Sequence, residues 1–154
     1  MSNTALHVTV KRLSPTAKIP TYANPGDACF DLYADIHADP SKYHTDPWGA
    51  NTVVVGTGLA FAVPPGHAML VFSRSGQGFK ENTRLANCVG VIDSGYRGEV
   101  KVKLTRDDWH PIKVSQGERI AQALILPVQQ VRFFELDDLG DTERGEGGFG
   151  SSGK

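Results

Sequence analysis

The 154-residue sequence has little of what marks several large protein classes. Its two cysteines, Cys29 and Cys88, are too few for a disulfide scaffold or a cysteine-rich zinc site. Its 16 basic and 17 acidic residues give a net charge of −1, so the composition does not indicate a polybasic surface for nucleic acid. No apolar run could span a bilayer, and His7, Thr9 and Lys11 interrupt the region where a secretory signal would be apolar. We therefore expect a cytoplasmic protein that contacts neither membrane nor nucleic acid directly.

Helical periodicity is also scarce, whereas turn residues are frequent. The chain has 17 glycines and 9 prolines, and its apolar residues occur in short, often alternating runs between turns. The sequence predicts strands near residues 6–10, 30–34, 53–55, 59–63, 68–72, 89–92, 100–104, 112–114, 120–126 and 128–134. We expect one helical turn near 76–81, a loop over 39–51, and a hairpin joining the strands at 89–92 and 100–104. This pattern is typical of an all-β sandwich, barrel or jelly roll.

The C-terminal segment differs in composition from the rest. From Asp137 onward the only large apolar residues are Leu139 and Phe149, and glycine is abundant. Such a segment cannot build a core of its own. The sequence therefore predicts a single β domain over residues 1–136 and a flexible arm over 137–154.

The chemistry-bearing residues indicate a hard cation, if any metal is used. The five histidines show no spacing suited to a transition metal. Asp27 and Asp31 follow the Pro25-Gly26 turn and could serve magnesium, or they could be a turn aspartate and a buried, hydrogen-bonded acid.

Three further segments combine polar groups with strand ends. Ser73-Arg74-Ser75-Gly76 ends a predicted strand with a guanidinium and hydroxyls suited to phosphate. Gly117–Gln122 brings Arg119 and Gln122 to the start of an apolar strand. Gly90–Glu99 carries Asp93 at the mouth of the predicted hairpin, where a carboxylate could orient and deprotonate a water. Each segment alone could also be an ordinary polar turn.

Taken together and in this order, these segments resemble the five motifs of the trimeric dUTPases, the deoxyuridine triphosphate nucleotidohydrolases. The five stretches are Asp27–Ala34, Arg74–Gly76, Gly90–Glu99, Gly117–Gln122 and Arg144–Gly153. The sequence departs from the usual family pattern at Cys29, at Ser73 and at Gln77-Gly78.

The resemblance implies a jelly-roll-like β fold assembled as a homotrimer, with three active sites at subunit interfaces. It implies hydrolysis of dUTP to dUMP and pyrophosphate with Mg²⁺ bound mainly through the substrate triphosphate. That reaction keeps uracil out of DNA and supplies dUMP for thymidylate synthesis.

The resemblance also implies roles on the nucleoside side of the site. Asp93 would position the attacking water against the α-phosphorus, and Tyr96 would pack on the deoxyribose where a 2′-hydroxyl would sit. Asn87 would read uracil with its amide. The backbone around Val91, Ile92 and Lys101 would complete the base pocket.

On the phosphate side, the resemblance gives catalytic roles to Arg74, Ser75 and Gln122, with Gly76 beside them. Asp31, and more weakly Asp27, would hold waters of the magnesium ion. In the arm, the substrate-binding residues implied by the fifth motif are Arg144, Phe149, Gly150, Ser151 and Ser152. Phe149 would stack on uracil and the others would hold the γ-phosphate.

Two other functions remain open on the sequence. A dCTP deaminase-like or bifunctional enzyme would share the fold and similar second and fourth motifs. A trimeric regulatory or binding protein could have kept the scaffold without catalysis, although its expected mark would be loss of Asp93, Tyr96 or the arm.

Overall fold

The computed structural model describes residues 5–36, 44–46, 49–108, 110–148 and 151, with the backbone alone for residues 44–46, 49 and 50. Within this part the chain forms ten strands and one short helix. The elements are β1 (Thr9–Arg12), β2 (Phe30–Tyr33), β3 (His44–Asp46), β4 (Gly49–Gly56), β5 (Leu59–Ala62), β6 (His67–Phe72), α1 (Ser75–Glu81), β7 (Thr83–Leu85), β8 (Val89–Asp93), β9 (Lys101–Arg106) and β10 (Arg119–Pro127).

The strands form antiparallel sheets whose order departs from the chain order. One four-stranded sheet has the order β2-β10-β6-β8, and a second has the order β3-β4-β9-β7. β1 pairs with β5 in a two-stranded sheet. Such crossovers between non-consecutive strands are typical of jelly rolls, and the all-β prediction is confirmed. The described residues include no helix with the length and apolarity that crossing a bilayer requires.

Alternating apolar side chains build the core between the sheets. In β9, Val102 and Leu104 are buried while Lys101 and Lys103 are exposed, as the two-residue period of a strand requires. Val102 pairs with Val55 of β4, and Leu104 pairs with the next inward residue of that strand. These apolar pairs join β10, β6 and β2 residues in one continuous buried cluster.

The predicted helical turn is confirmed as α1, which directly follows β6. The helix ends at Asn82, whose left-handed backbone (φ 50°) lets its N–H donate to the carbonyl of Gln77. Just before the helix, the Ser73 hydroxyl accepts a hydrogen bond from the Leu85 N–H at 2.9 Å. A proline at position 73 could not accept this bond, so the departure at Ser73 contributes a tie between β6 and β7.

Four predictions of secondary structure were wrong. β8 and β9 do not form a hairpin, because β8 pairs with β6 while β9 pairs with β4 and β7. Residues 112–114 and 128–134 form no strand. Residues 44–46 and 49–51, predicted as loop, belong to β3 and β4, while the rest of the 39–51 segment lies outside the described residues. The segment 128–134 forms no strand because no described residue packs over it, as the 93% exposure of Phe133 shows.

A buried carboxylate ties together three distant parts of the chain. Asp35 follows β2, is 2% exposed, and accepts hydrogen bonds from the hydroxyls of Ser14 and Thr16 and from the Gln116 amide at 3.1 Å. Its backbone N–H donates to Gly56 at 2.9 Å. Because a buried charge is costly unless it is paired or hydrogen-bonded, these donors are what allow Asp35 to stay inside.

Gly58 is the residue beside Asp35 that tolerates no side chain. Its φ is +65°, and a Cβ there would overlap the Asp35 carboxylate and lie 2.8 Å from the Ala17 Cβ. Gly66 has a similar φ of +74° but nothing within 4 Å of the corresponding position. Substitutions at Gly58 and Gly66 therefore distinguish the cost of backbone strain from the cost of overpacking.

We expect Gly66→Ala to cost about 1 kcal/mol of unfolding free energy and Gly58→Ala roughly 3 kcal/mol, since overpacking adds to the same strain. Urea unfolding of the parent and both variants at one fixed protein concentration measures this. Equal losses in the two variants would show that Asp35 yields freely and does not hold these segments.

Candidate active site

A carboxylate bridged by two arginines organises one end of the sheet. Asp31 lies in β2 opposite Gln122 of β10 and is 8% exposed. Arg74 Nε donates to Asp31 Oδ1 at 3.1 Å, and Arg119 Nη1 donates to Asp31 Oδ2 at 3.1 Å. One negative charge thus holds two guanidiniums in place.

These groups open onto a cavity of about 370 Å³. It is lined by Ala23, Asp27, Ala28, Cys29, Asp31, Arg74, Ser75, Arg119 and Gln122. The structure therefore brings together the predicted phosphate-side residues Arg74, Ser75 and Gln122 with both predicted metal-side aspartates. Gly76 follows Ser75 as the second residue of α1.

Each of these side chains has a defined local role. Gln122 Nε2 donates to the backbone carbonyl of Ser73 at 3.0 Å, which ties β10 to the end of β6. Ser75 is exposed, and its hydroxyl makes no hydrogen bond with the described residues, so it is available to a ligand. Burial, and then the charge of Asp31, raise the pKa of the Cys29 thiol above its ordinary value, so this cysteine stays a neutral wall residue near neutral pH.

Arg119 is the site residue that sequence reasoning did not assign. It is the first residue of β10 and its side chain is 46% exposed. Its role depends on a contact with Asp31 across 88 positions of sequence, which no local pattern reveals. The only sequence signal was its place in the segment that also holds Gln122.

A second cavity separates β8 from β9. It measures about 500 Å³, and its lining includes Asn87, Gly90, Val91, Ile92 and Lys101. Because β8 is the edge strand of its sheet, its outer backbone groups are available to a ligand. Divergence of the two strands, where a hairpin was predicted, thus creates a pocket with backbone donors and acceptors.

A third cavity, of about 410 Å³, continues from the second. It shares Val91, Ile92 and Lys101 with the second cavity and adds Asp93 and Tyr96. Asp93 ends β8 with an exposed carboxylate that makes no hydrogen bond with the described residues. The six predicted nucleoside-side residues therefore line one continuous cleft.

Asp93 and the arginine cavity lie at opposite ends of β6. Asp93 pairs with Ala68 at the start of β6, whereas Gln122 pairs with Phe72 at its end, on the other side of the strand. Four residues correspond to about 13 Å and two strand spacings to about 10 Å, so the two groups lie about 16 Å apart. One chain does not bring Asp93 within reach of a phosphate held by Arg74.

The predicted arm residues form a third, separate group. Arg144 Nε donates to the Gly147 carbonyl at 2.8 Å, and both line a shallow cavity with Glu143 and Ser151. The hydrogen bonds of the described residues from 137 onward stay within that segment. Phe149, Gly150 and Ser152 lie outside the described residues.

Asp31 and Asp27 suit a metal ion that the substrate phosphates bring to the site. Within the described parts of the chain no three His, Cys, Asp or Glu side chains cluster as a metal site would require. Asp31 is held by two arginines, and Asp27 Oδ2 accepts from the backbone and side chain of Asn24 at 2.8 and 3.3 Å. Each carboxylate still has lone pairs for a metal-bound water, which suits Mg²⁺ carried by substrate phosphates.

Comparison with known proteins identifies relatives of this architecture. A deoxyuridine 5'-triphosphate nucleotidohydrolase from Thermobifida fusca is 40% identical over 151 residues, covering 96% of this chain and 79% of that protein. The Nautilia profundicola protein of the same name is 41% identical over 147 residues, covering 94% of this chain and 97% of its own.

Solved structures agree with the sequence relatives. A Staphylococcus bacteriophage 80alpha dUTPase with dUpNHpp superposes with a TM-score of 0.76 at 27% identity, covering 97% of this chain and 100% of that one. A variant of the same phage enzyme with dUpNHpp gives a TM-score of 0.79 at 25% identity, with the same coverage. The dUTPase family profile matches residues 15–153, which include all five segments singled out in the sequence. On these grounds the chain belongs to the dUTPase family.

Proposed function

We propose that this chain hydrolyses dUTP to dUMP and pyrophosphate as a homotrimer, with active sites that take groups from more than one subunit. The observation that carries the proposal is the separation of Asp93, in the nucleoside-type cleft, from the arginine-lined cavity at the opposite end of β6. A closed three-fold assembly can bring the cleft of one subunit to the cavity of another. Relatives named as deoxyuridine triphosphate nucleotidohydrolases support the substrate.

The cleft between β8 and β9 would bind uracil through Asn87 and the backbone around Val91, Ile92 and Lys101. A rigid strand edge discriminates well, because cytosine reverses the donor and acceptor of uracil at ring positions 3 and 4 and would leave buried groups unpaired. Gly90 leaves space in this cleft for the base. A Cβ there would lie 3.3 Å from the Val71 Cβ and 3.7 Å from the Asn87 amide nitrogen, and both residues line the cleft.

The reaction would begin with a water held by Asp93. The carboxylate would accept a proton from the water while the water oxygen attacks the α-phosphorus, on the side opposite the bond to the departing pyrophosphate. The exposed, uncommitted Asp93 side chain suits this role, because the base must be free to receive the proton. Tyr96 would pack against the deoxyribose at the other side of the same cavity.

The arginine cavity of a neighbouring subunit would bind the phosphates. Arg74 and Arg119 carry fixed guanidiniums, Ser75 offers a free hydroxyl toward the leaving pyrophosphate, and Gln122 orients the end of β6. Because Asp31 positions both arginines before the ligand arrives, little reorganisation accompanies charge development in the transition state.

Magnesium would complete the phosphate site. Asp31 and Asp27 are the residues that would hold its waters, since both line the arginine cavity. When bound, the ion would neutralise phosphate charge and restrict the conformation of the triphosphate chain. The protein's own part is to aim the two carboxylates and two guanidiniums at that chain.

Residues 137–154 would form a flexible arm that closes over bound nucleotide. Its glycines make ordering costly, so contacts with the ligand must stabilise the closed form. Arg144, Gly150, Ser151 and Ser152 would hold the γ-phosphate and Phe149 would stack on uracil.

The direct test is pyrophosphate release from dUTP, dTTP, dCTP and UTP, each with and without Mg²⁺. We expect rapid release from dUTP alone and loss of activity when EDTA removes the metal. Ammonia release from dCTP would instead indicate a deaminase of this fold. Absence of turnover with every nucleotide would favour a binding or regulatory protein.

Subunit mixing tests the shared site. Asp93→Asn and Arg74→Ala should each abolish most activity, because each removes a different half of every site. After co-refolding in equal amounts, three quarters of trimers are mixed and one of their three sites has both intact groups. We therefore expect about a quarter of the parental activity to return.

If Asp93 and Arg74 of one chain served the same site, no mixture would regain activity. Self-mixed samples of each variant, taken through the same refolding, are the controls. Light scattering that reports a monomer at the assay concentration would also contradict the proposal.

Truncation tests the arm. A chain stopped after Leu139 should still assemble and bind dUDP but should hydrolyse dUTP far more slowly, with the loss in kcat, because arm contacts develop toward the transition state. In the full-length protein, arm amides should gain protection from hydrogen exchange when a non-hydrolysable dUTP analogue and Mg²⁺ bind. Full activity of the shortened chain would remove the arm from the mechanism.

A further inference from the structure

The Tyr96 side chain is 45% exposed, yet its position is fixed by specific contacts. Its hydroxyl donates to the backbone carbonyl of Glu99 at 3.0 Å, and its N–H donates to the Asp93 carbonyl at 3.1 Å. Because little apolar packing holds the ring, these contacts and the residue beneath it decide where the ring lies.

The residue beneath the ring is Gly98. A Cβ at position 98 would collide with Tyr96 Oη and would lie 2.6 Å from Cζ and 3.0 Å from Cε2. Neither Gly98 nor Gly95, in the same loop, has a positive φ, and Gly95 has nothing within 4 Å of its missing Cβ. The requirement for glycine at position 98 therefore comes from the Tyr96 ring and not from the backbone.

The acceptor of the Tyr96 hydroxyl is itself anchored in the core. The Glu99 side chain accepts from the Gly58 N–H at 2.9 Å, and the Val100 N–H donates to the Leu59 carbonyl at 2.9 Å. The turn between β4 and β5 thus holds Glu99, and Glu99 holds the tip of the ring.

Arg97 fixes the other side of the loop. Its Nη1 donates to the carbonyls of Ser94 and Tyr96 at 2.6 and 2.8 Å. An added methyl group at position 98 must therefore displace the ring from its place at the edge of the cavity that Asp93 and Tyr96 line.

We propose that Gly98 is a positioning residue for sugar selectivity: by carrying no side chain it seats the Tyr96 ring at the depth that admits deoxyribose and excludes ribose. The inference rests on the proposed function, since it concerns the same nucleoside cleft. Exclusion of the ribose 2′-hydroxyl by the edge of the Tyr96 ring depends steeply on the distance between them. The shift that a side chain at position 98 would impose on the ring is comparable to the size of one hydroxyl group.

The test compares kcat/KM for dUTP and UTP in Gly98→Ala, with Gly95→Ala as the matched control. We expect the UTP/dUTP ratio to rise about tenfold or more in Gly98→Ala and to stay within about twofold of the parent in Gly95→Ala. A parental ratio in Gly98→Ala, or an equal change in both variants, would overturn the proposal. A loss of loop order alone would lower both activities together and leave the ratio unchanged.

A double-mutant cycle shows whether Gly98 acts through Tyr96. In a Tyr96→Ala background, adding Gly98→Ala should change the ratio by less than about twofold, because no ring remains to displace. If Gly98→Ala alone fails to fold, the same reasoning predicts that Tyr96→Ala/Gly98→Ala folds, which thermal unfolding measures. Failure of both to fold, or a full effect in both backgrounds, contradicts the proposal.

The two proposals fail in different ways. If the parent releases no pyrophosphate from dUTP, the proposed function is wrong, and calorimetric binding of dUDP and UDP to the same variants tests Gly98 in its place. Unaltered preference for dUDP in Gly98→Ala would then reject the positioning role.

Discussion

Strand β6 is hydrogen-bonded along both edges, to β10 on one side and to β8 on the other, and the site geometry depends on this constraint. The pairing assigns Asp93 to the first residues of β6 and the arginine cavity to its end. A doubly paired strand can neither slide nor rotate without breaking a ladder, so the separation of the two groups is a fixed property of the chain. Within the described residues of one chain, the two groups therefore stay apart.

The arginine cavity concentrates charged side chains in a protein whose net charge is close to zero. The chain carries a net charge of −1, yet Arg74 and Arg119 converge on the single carboxylate of Asp31. Local arrangement, and not overall composition, brings two guanidiniums together where an anion could bind, with Asp27 and Asp31 beside them. Partial exposure of both guanidiniums keeps part of each available to a ligand while Asp31 restricts its orientation.

Most elements could be predicted from the sequence because their signals are local. The alternation of Lys101, Val102, Lys103 and Leu104 predicted β9, and the short apolar runs on either side of the turn at 64–66 predicted β5 and β6. Strand partners could not be predicted, because alternation gives the buried face of a strand and not its neighbour. For the same reason β8 was assigned to a hairpin, although its partner β6 ends 17 residues before it begins.

The candidate site divides along the same line. The residues that line the cavities were found because the order of five segments resembles a family. The contacts that position these residues could not be found in this way, since the Asp31–Arg119 pair and the Tyr96–Gly98 contact depend on three-dimensional proximity. Conversely, the β-branched and aromatic residues at 128–134 predicted a strand, but in the structure Phe133 and Phe134 are exposed.

The position of β10 has a consequence for how the protein is made. This strand is encoded at residues 119–127, yet it lies between β2 and β6 in the middle of its sheet. During synthesis, most of the polypeptide must therefore leave the ribosome before β10 can insert between β2 and β6. Until then β2 lacks its partner strand in this sheet. Contacts of such long sequence separation slow folding, because loop-closure entropy is lost before the pairing is gained. Until β10 is available, the facing edges of β2 and β6 stay unpaired, and unpaired strand edges are where an incompletely folded chain is prone to aggregate.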